Sequence, residues 1–395
     1  MNKVNIGIES LGFYSPRYYF PLSSLAQARG LDDDEKYGKG LWQEKMSVAP
    51  PNEDIVTMGA SAAAYALEGV DKTTICAILF ATESSFDYSK SAGIFIHDLL
   101  GLPQACMVLE CKQACSSGAA ALKISLGLLA LQDSHKKILV ITSDISLYEL
   151  GSAAEPTQGA GACAFVVSTD PKILTIENYW GHHAKNVPDF WRPNYMLHPI
   201  ASGKQSIENY LQSLQGAWQQ YHQESNFQLQ NIDGYCFHLP YSRMAEKAII
   251  HLYKKLNKQT LPDEMFERCM LSTSYSKEIG NCYTASLFIG LLSLLENNAS
   301  SLEGARIGMF SYGSGCSAIF FSGIISEGYA KHISQQHTRV ALDERSPLSY
   351  DEYEKFHTFA VADASGNMAI PQYQTGRFRL DSVVGHHRNY ATASS

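Results

Sequence analysis

The chain has 395 residues, of which 45% are hydrophobic, and this is enough apolar material for a large buried core. Its 31 Lys and Arg residues against 39 Asp and Glu residues give a net charge of -8. This balance argues against nucleic acid as a partner, because proteins that bind nucleic acid usually carry a basic patch. We recognise no secretory leader and no apolar run near the ~20 residues that span a membrane, so we expect no membrane association.

Short apolar runs alternate with helical patterns along the chain, which predicts an α/β protein. The predicted strands are 75–81, 106–110, 137–142, 162–168, 234–238 and 306–312. The predicted helices are 55–67, 89–100, 117–132, 206–219, 242–256 and 283–295. The length favours two halves, and we place them at residues 1–170 and 171–395.

The nine cysteines are expected to be reduced thiols of a cytoplasmic protein, because no secretory leader accompanies them. Cys111 and Cys115 are four residues apart but have no matching second pair, so the sequence predicts no zinc site and no other metal site.

Cys115 is the candidate nucleophile, since it lies between a predicted strand and an alanine-rich helical run, in Lys112-Gln113-Ala114-Cys115-Ser116. The partial positive charge at a helix N-terminus stabilises a thiolate and can lower the thiol pKa from about 8.5 to roughly 3.5–7.5. The structural alternative is a small buried cysteine with no chemistry.

Three other segments place polar groups at the ends of predicted strands, where α/β proteins usually bind their ligands. Glu83 follows a strand in Ala81-Thr82-Glu83, where partial burial would raise its pKa towards that of a general base. His238 follows another strand and precedes Leu239-Pro240. The turn at Gly313-Ser314-Gly315 can bring backbone N–H groups close to an oxyanion. Taken singly, these features also fit a loop glutamate, a structural histidine and a plain hairpin turn.

These segments together resemble the 3-hydroxy-3-methylglutaryl-CoA synthase family of the thiolase-like superfamily. The matching motifs, in chain order, are Asn52-Glu53-Asp54-Ile55-Val56, Ala81-Thr82-Glu83-Ser84, Lys112-Gln113-Ala114-Cys115, Glu155-Pro156-Thr157-Gln158-Gly159-Ala160-Gly161-Ala162, Asp189-Phe190-Trp191-Arg192-Pro193, Phe237-His238, Gly280-Asn281, Tyr283-Thr284 and Phe310-Ser311-Tyr312-Gly313-Ser314-Gly315. The resemblance runs through nearly the whole chain. It implies a duplicated, five-layered αβαβα fold, usually found as a dimer.

The resemblance also implies a Claisen-type condensation of acetyl-CoA with acetoacetyl-CoA, without a metal or redox cofactor. By position, Cys115 matches the nucleophile, Glu83 the acid/base and His238 the residue that polarises the acetoacetyl carbonyl group. Substrate-binding positions are matched by Tyr148, Thr157, Asn281, Ser314, Arg243 and Lys247. The last two are four residues apart, on one helical face, and suit the phosphates of CoA; the alternative for Lys247 is an ordinary solvated helix face.

Some residues depart from the family pattern. Ser116 stands where the family commonly has an aromatic residue. Ser314-Gly315-Cys316 is similar to the branch that acts on substrates bound to acyl carrier protein in polyketide β-branching, whereas Asp189-Phe190-Trp191-Arg192-Pro193 favours the bacterial mevalonate-pathway enzyme. Of these two branches, we favour the mevalonate-pathway enzyme. A cysteine hydrolase and a non-catalytic thiolase-like binding protein are the alternatives from other classes.

Overall fold

A computed structural model describes residues 5–31, 37–361 and 365–393 of the chain. Its strands are β1 (Gly7–Tyr14), β2 (Tyr18–Pro21), β3 (Lys45–Val48), β4 (Ile75–Ala81), β5 (Met107–Cys111), β6 (Lys137–Ser146), β7 (Gly159–Ser168), β8 (Leu174–Ala184), β9 (Phe190–Trp191), β10 (Ile200–Ala201), β11 (Gly234–Phe237), β12 (Arg306–Gly313), β13 (Ser317–Ile325), β14 (Ser346–Pro347), β15 (Met368–Ala369), β16 (Phe378–Val384) and β17 (His387–Thr392).

Its α-helices are α1 (Leu22–Ala28), α2 (Lys39–Leu41), α3 (Ile55–Ala66), α4 (Ala92–Leu99), α5 (Ser117–Leu129), α6 (Gly203–Ser225), α7 (Met244–Ile250), α8 (Asp263–Leu271), α9 (Ser274–Ile279), α10 (Ser286–Asn297), α11 (Gln335–Asp343) and α12 (Tyr350–His357). A π-helical segment, His251–Leu256, continues α7, and a 3-10 turn, Tyr283–Ala285, precedes α10. Every strand and helix predicted from the sequence is confirmed: β4 has the predicted bounds, and the others have shifted ends.

The large sheet has nine strands in the order β11-β12-β13-β8-β1-β7-β6-β4-β5. One topology occurs twice in it. β4 is parallel to β6, which is antiparallel to β7, which is antiparallel to β1. In the same way, β11 is parallel to β12, which is antiparallel to β13, which is antiparallel to β8. The expected duplication is therefore present in the topology, with β5 added at one edge.

Three apolar clusters show how the layers are stacked. One cluster packs α3 and α4 on the outer face of the first half-sheet. A second contains α5 and α10 and joins the inner faces of both half-sheets. A third packs α6 and α7 on the outer face of the second half-sheet. This gives the predicted αβαβα order of five layers. The boundary expected at residue 170 lies in the chain between β7 and β8, and it stays a prediction.

Smaller sheets surround this body. The 190–201 hairpin is formed by β9 and β10, which are antiparallel. β2, β3 and β14 form a second small sheet, and β15, β16 and β17 form a third.

Candidate active site

The carboxyl ends of neighbouring parallel strands bring the candidate acid/base and nucleophile together. β4 is parallel to β5, Glu83 comes two residues after β4, and Cys115 comes four residues after β5. The Sγ atom of Cys115 donates a hydrogen bond to Oε1 of Glu83 at 3.4 Å. The two predicted residues are thus in direct contact.

Serine hydroxyl groups hold the turn that carries Cys115. Ala114 adopts a φ of 44°, a left-handed conformation that is rare for a residue other than glycine. The hydroxyl group of Ser116 donates to the carbonyl of Gln113 at 2.9 Å, and that of Ser117 donates to the carbonyl of Ala114 at 2.7 Å. In this way Ser116 uses its side chain to close the turn, at the position where the family usually has an aromatic ring.

The electrostatics of Cys115 differ from the sequence expectation. The residue is 8% exposed, and burial raises the pKa of its thiol well above the ordinary value. The neighbouring carboxyl groups of Glu83 and Asp144 raise it further. The predicted lowering by the helix N-terminus is therefore wrong, because burial and two nearby acids outweigh it. At rest the sulfur holds its proton and becomes a nucleophile when an acceptor takes that proton.

Glu83 is a suitable acceptor. Burial raises the pKa of its carboxyl group to about 8, and the charge of Asp144 acts in the same direction. The hydrogen bond from Cys115 and the charge of Arg192 lower it in part. This agrees with the predicted upward shift, and it gives Glu83 a pKa near neutrality, as a residue that both accepts and returns protons needs.

Asp144, which the sequence reasoning missed, organises this side of the site. Its carboxylate is fully buried and accepts hydrogen bonds from the backbone N–H of Glu83 at 2.9 Å and of Thr284 at 3.0 Å. The hydroxyl groups of Thr82, Ser84 and Thr284 also donate to it. A lone acidic residue in the apolar run 137–146 was the available signal.

His238 directly follows β11. Its backbone N–H donates to the carbonyl of Phe310 at 2.8 Å, and its own carbonyl accepts from the Tyr210 hydroxyl group at 2.9 Å. The side chain is buried, and its Nδ1 atom has no partner among the described residues. Burial lowers the pKa of the imidazole to about 3, so the ring is neutral at physiological pH.

The glycine turn at residues 313–316 contacts the nucleophile turn. A Cβ atom at Gly313 would lie 2.3 Å from the carbonyl oxygen of Gln113, so only glycine fits this approach. The carbonyl of Ser314 lies 3.5 Å from the side-chain nitrogen of Gln113, and the N–H of Gly315 donates to Asp189 at 2.9 Å. The predicted Ser314 turn is therefore beside Cys115.

Aromatic side chains enclose the sulfur. Tyr148 and Tyr283 pack against Cys115, and Phe190 packs on both rings at centroid distances of 6.2 and 6.1 Å. Thr157 and Asn281 lie behind this wall: the N–H of Asn281 donates to the Thr157 carbonyl at 3.1 Å, and its side-chain oxygen accepts from the N–H of Tyr283 at 2.9 Å.

Matches to family models decide which family this site belongs to. The model described as the N-terminal part of hydroxymethylglutaryl-coenzyme A synthase matches residues 2–172. The model of the C-terminal part matches residues 174–260 and 252–392. The chain belongs to the hydroxymethylglutaryl-CoA synthase family.

Relatives of both functional branches of the family are similar to this chain. The hydroxymethylglutaryl-CoA synthase of Enterococcus faecalis is 38% identical over 89% of this chain and 91% of its own length. The polyketide biosynthesis 3-hydroxy-3-methylglutaryl-ACP synthase PksG of Bacillus subtilis is 32% identical over 89% of this chain and 87% of its own length. A crystal structure of an HMG-CoA synthase complexed with CoA superposes with a TM-score of 0.94 at 37% identity, covering 98% of this chain and all of that one.

In this family member, the two predicted CoA-phosphate residues make contacts with protein groups. Arg243 lies one residue before α7 rather than inside it, and its guanidinium group pairs with Glu246 at 2.6 Å. The Lys247 amine donates to the hydroxyl group of Tyr241 at 2.8 Å. Both side chains contact groups other than Cys115, Glu83 and His238. Phosphate binding by this pair stays a prediction.

Among the described residues, no group of three or more His, Cys, Asp or Glu side chains is arranged to hold a metal ion. In the same part of the chain, no helix combines the length and the apolar character that crossing a membrane requires.

Proposed function

We propose that this protein condenses acetyl-CoA with acetoacetyl-CoA and hydrolyses the adduct to 3-hydroxy-3-methylglutaryl-CoA, as a step of the mevalonate pathway. The observation that carries the proposal is the 3.4 Å hydrogen bond between the Cys115 thiol and the Glu83 carboxyl group. The buried neutral His238 at the end of β11 supplies the third group that the reaction needs. Membership of the family supports the same reaction.

In the first step, the Cys115 thiol gives its proton to Glu83 and its sulfur attacks the carbonyl carbon of acetyl-CoA. The thioester bond to CoA breaks, the acetyl group is left on the sulfur, and the CoA sulfur takes up the proton. Splitting the reaction through a covalent acyl-enzyme replaces one hard step by two easier ones.

In the second step, the Glu83 carboxylate removes a proton from the acetyl methyl group. The carbanion formed attacks C3 of acetoacetyl-CoA, and the ketone oxygen at C3 takes the proton back from Glu83 to become an alcohol. A neutral imidazole can donate one hydrogen bond, and His238 would use it to stabilise the charge that develops on this oxygen. Water then cleaves the bond between the acyl group and Cys115.

The polar and aromatic residues around the sulfur would bind the acyl groups. We assign this role to Tyr148, Thr157, Asn281 and Ser314. Arg243 and Lys247 would bind the CoA phosphates, for which Arg243 has to share or release its ion pair with Glu246.

The two alternatives from other classes fit less well. A cysteine hydrolase relies on an imidazole to activate its thiol, whereas the thiol of Cys115 donates a hydrogen bond to a carboxyl group. A binding protein without activity has no need to retain all of Cys115, Glu83 and His238, or to maintain a carboxyl group with a pKa of about 8.

We further propose that the protein works in the cytoplasm as a homodimer, without a metal or redox cofactor. Each reacting group in the steps above is a thioester, a ketone, a thiol, a carboxyl group, an imidazole or water, so activity should survive a chelator. The dimer is supported by β5, which is the last strand of the large sheet and exposes 47% of Met107 and 44% of Leu109.

The proposed function is tested by incubating the purified protein with acetyl-CoA and analysing its peptides by mass spectrometry. We expect one acetyl group on the peptide that contains Cys115, and 3-hydroxy-3-methylglutaryl-CoA after acetoacetyl-CoA is added. The Cys115→Ala variant should lose both. Cys111→Ala is the matched control, because Cys111 is equally buried. Product formation by Cys115→Ala would exclude the acetyl-cysteine route.

The donor substrate separates the two branches of the family. The relative PksG is named as an ACP synthase, and acetyl-carrier protein is therefore the alternative donor for this chain. We expect higher kcat/KM with acetyl-CoA, measured side by side with acetyl-carrier protein. A strong preference for the carrier protein would replace the mevalonate assignment by polyketide β-branching.

A further inference from the structure

The backbone of Glu83 is held between two opposite charges. Its N–H donates to the buried carboxylate of Asp144 at 2.9 Å. Its carbonyl oxygen accepts a hydrogen bond from the guanidinium group of Arg192 at 2.6 Å. Since both neighbouring peptide groups are anchored, the side-chain torsions are the main freedom left to the Glu83 carboxyl group.

Arg192 belongs to a segment that contacts the site at three places. Asp189 is fully buried, and it accepts hydrogen bonds from the N–H of Gly315 at 2.9 Å and from the hydroxyl group of Tyr312. Phe190 packs on Tyr148. Arg192 follows directly after β9 and holds Glu83, so one stretch of chain connects the glycine turn, the aromatic wall and the candidate base.

We propose that Arg192 is a positioning residue for the condensation step. By holding the backbone carbonyl of Glu83, it keeps the side-chain carboxyl group of Glu83 at its place beside Cys115. The proposal rests on the proposed function. Arg192 is not expected to touch the substrate or the sulfur. A catalytic group has to be kept within ~0.5 Å of its productive position, and a charge-assisted hydrogen bond to the backbone of that residue is a means of doing so.

The charges of Arg192 and Asp144 also shift the pKa of the Glu83 carboxyl group in opposite directions. The groups that act on Glu83 or respond to its charge are Asp144, Cys115, Arg192, Tyr148 and Tyr283. Asp144 raises the pKa of Glu83, and Arg192 lowers it. Loss of the cation should therefore raise this pKa above its value of about 8, and condensation should need a higher pH. Because Arg192 is exposed, solvent screens this effect, and low ionic strength will show it best.

Three substitutions separate the hydrogen bond from the charge. Arg192→Met removes both, Arg192→Gln keeps a donor without the charge, and Arg192→Lys keeps the charge with a single donor group. The matched control is Trp191→Ala, which alters the neighbouring exposed residue of the same hairpin and leaves the Glu83 contact in place. For each variant, kcat and KM of condensation are measured against pH, and acetylation of Cys115 is measured separately.

We expect Arg192→Met to lower kcat about tenfold or more, with KM values within about threefold of wild type. Acetylation of Cys115 should slow less than condensation, because only condensation needs Glu83 to deprotonate carbon. Its activity should rise with pH at a higher midpoint than in wild type, as should that of Arg192→Gln. Arg192→Lys should keep the wild-type midpoint, and Trp191→Ala should keep both kcat and midpoint. If Arg192→Met is thermally unstable, the pH midpoints of Arg192→Gln and Arg192→Lys are compared instead. These two variants differ in the charge at residue 192, and they test the same expectation.

An active wild-type protein whose Arg192 variants keep its kcat and its pH midpoint would overturn this inference and leave the proposed function standing. An equal loss of kcat in Arg192→Met and Trp191→Ala, without a shift of the midpoint, would also overturn it, because it would indicate a merely structural role of the hairpin. A wild-type protein that neither acetylates Cys115 nor forms product would overturn the proposed function, and this inference with it.

Discussion

Two acids are in contact at the centre of the site, and this controls when the sulfur becomes reactive. The thiol of Cys115 and the carboxyl group of Glu83 are largely removed from water and 3.4 Å apart, so ionisation of one disfavours ionisation of the other. The proton of the thiol therefore has a defined acceptor, and the nucleophile forms as that proton moves.

This arrangement predicts an effect of Glu83→Gln on the thiol. Both the charge of Glu83 and its hydrogen bond raise the pKa of Cys115, so a neutral isosteric amide should lower that pKa. At a fixed pH near 8, we expect iodoacetamide to alkylate Cys115 several-fold faster in Glu83→Gln than in wild type. The rate is read from the Cys115 peptide by mass spectrometry, with Cys76 as the internal reference. A slower reaction of Cys115 would contradict the electrostatic account.

The positions of the candidate site residues could be predicted from the sequence, whereas their electrostatics could not. Glu83 and His238 each follow an apolar run, and polar residues at strand ends are a local signal. The pKa of Cys115 depends on Asp144. Asp144 in turn accepts a hydrogen bond from Thr284, which lies 140 residues further along the chain. No local pattern reports such a contact.

At the scale of elements, Asp54 joins two parts of the chain that are far apart in sequence. Its side chain caps α3 by accepting hydrogen bonds from the N–H groups of Val56 and Thr57 at 2.9 and 3.1 Å. The same carboxylate pairs with Arg388 at 3.0 Å and accepts from the hydroxyl group of Tyr390 at 2.7 Å. One side chain thus fixes the start of α3 and the position of β17.

We therefore expect Asp54→Ala to lower the free energy of unfolding by about 2 kcal/mol or more, since a helix cap contributes about 1 kcal/mol and the partly buried ion pair is lost as well. Denaturation in urea measures this change. The matched control is Asp71→Ala, because Asp71 also caps a helical turn, through the N–H of Thr73 at 2.9 Å, but is exposed. Equal losses in the two variants would show that the contacts with β17 contribute nothing.

The elements that the sequence predicted best are the buried strands. β4 lies inside the sheet, and six of its seven residues are buried, so it forms one continuous apolar run. The strand pattern of β8 is weaker, because exposed polar residues such as Asn178 and His182 interrupt it. The 190–201 hairpin has strands of two residues each, too short for a periodic signal, and so its contact with Glu83 could not be foreseen.

At the scale of the whole molecule, the five layers place the site between the two half-sheets. Glu83 and Cys115 follow parallel strands of the first half, and His238 and the glycine turn follow β11 and β12 of the second. The repeat was not visible in the sequence, because the two halves share their topology while their strands carry different residues.

The free edge of the first half predicts an interface with a second copy. β5 is paired along one side by β4, and alternate residues of it, Met107 and Leu109, expose large apolar side chains. An unpaired strand edge of this kind favours strand-to-strand association. We expect a dimer by sedimentation equilibrium and a shift towards monomer in Leu109→Lys. Leu131→Lys is the control, since Leu131 is 84% exposed but lies outside β5. A wild-type monomer would refute the proposed dimer.

The central claim is that Cys115 carries the acetyl group while Glu83 creates the carbon nucleophile. Labelled acetyl-CoA followed by acetoacetyl-CoA, given to Glu83→Ala, tests it most directly. The account predicts that the variant still accumulates label on Cys115, because loss of the Glu83 carboxyl group lowers the pKa of the thiol and lets water take its proton. Its release of 3-hydroxy-3-methylglutaryl-CoA should fall by at least about a hundredfold, as loss of a general base implies. Wild-type rates of product formation by Glu83→Ala would contradict the account.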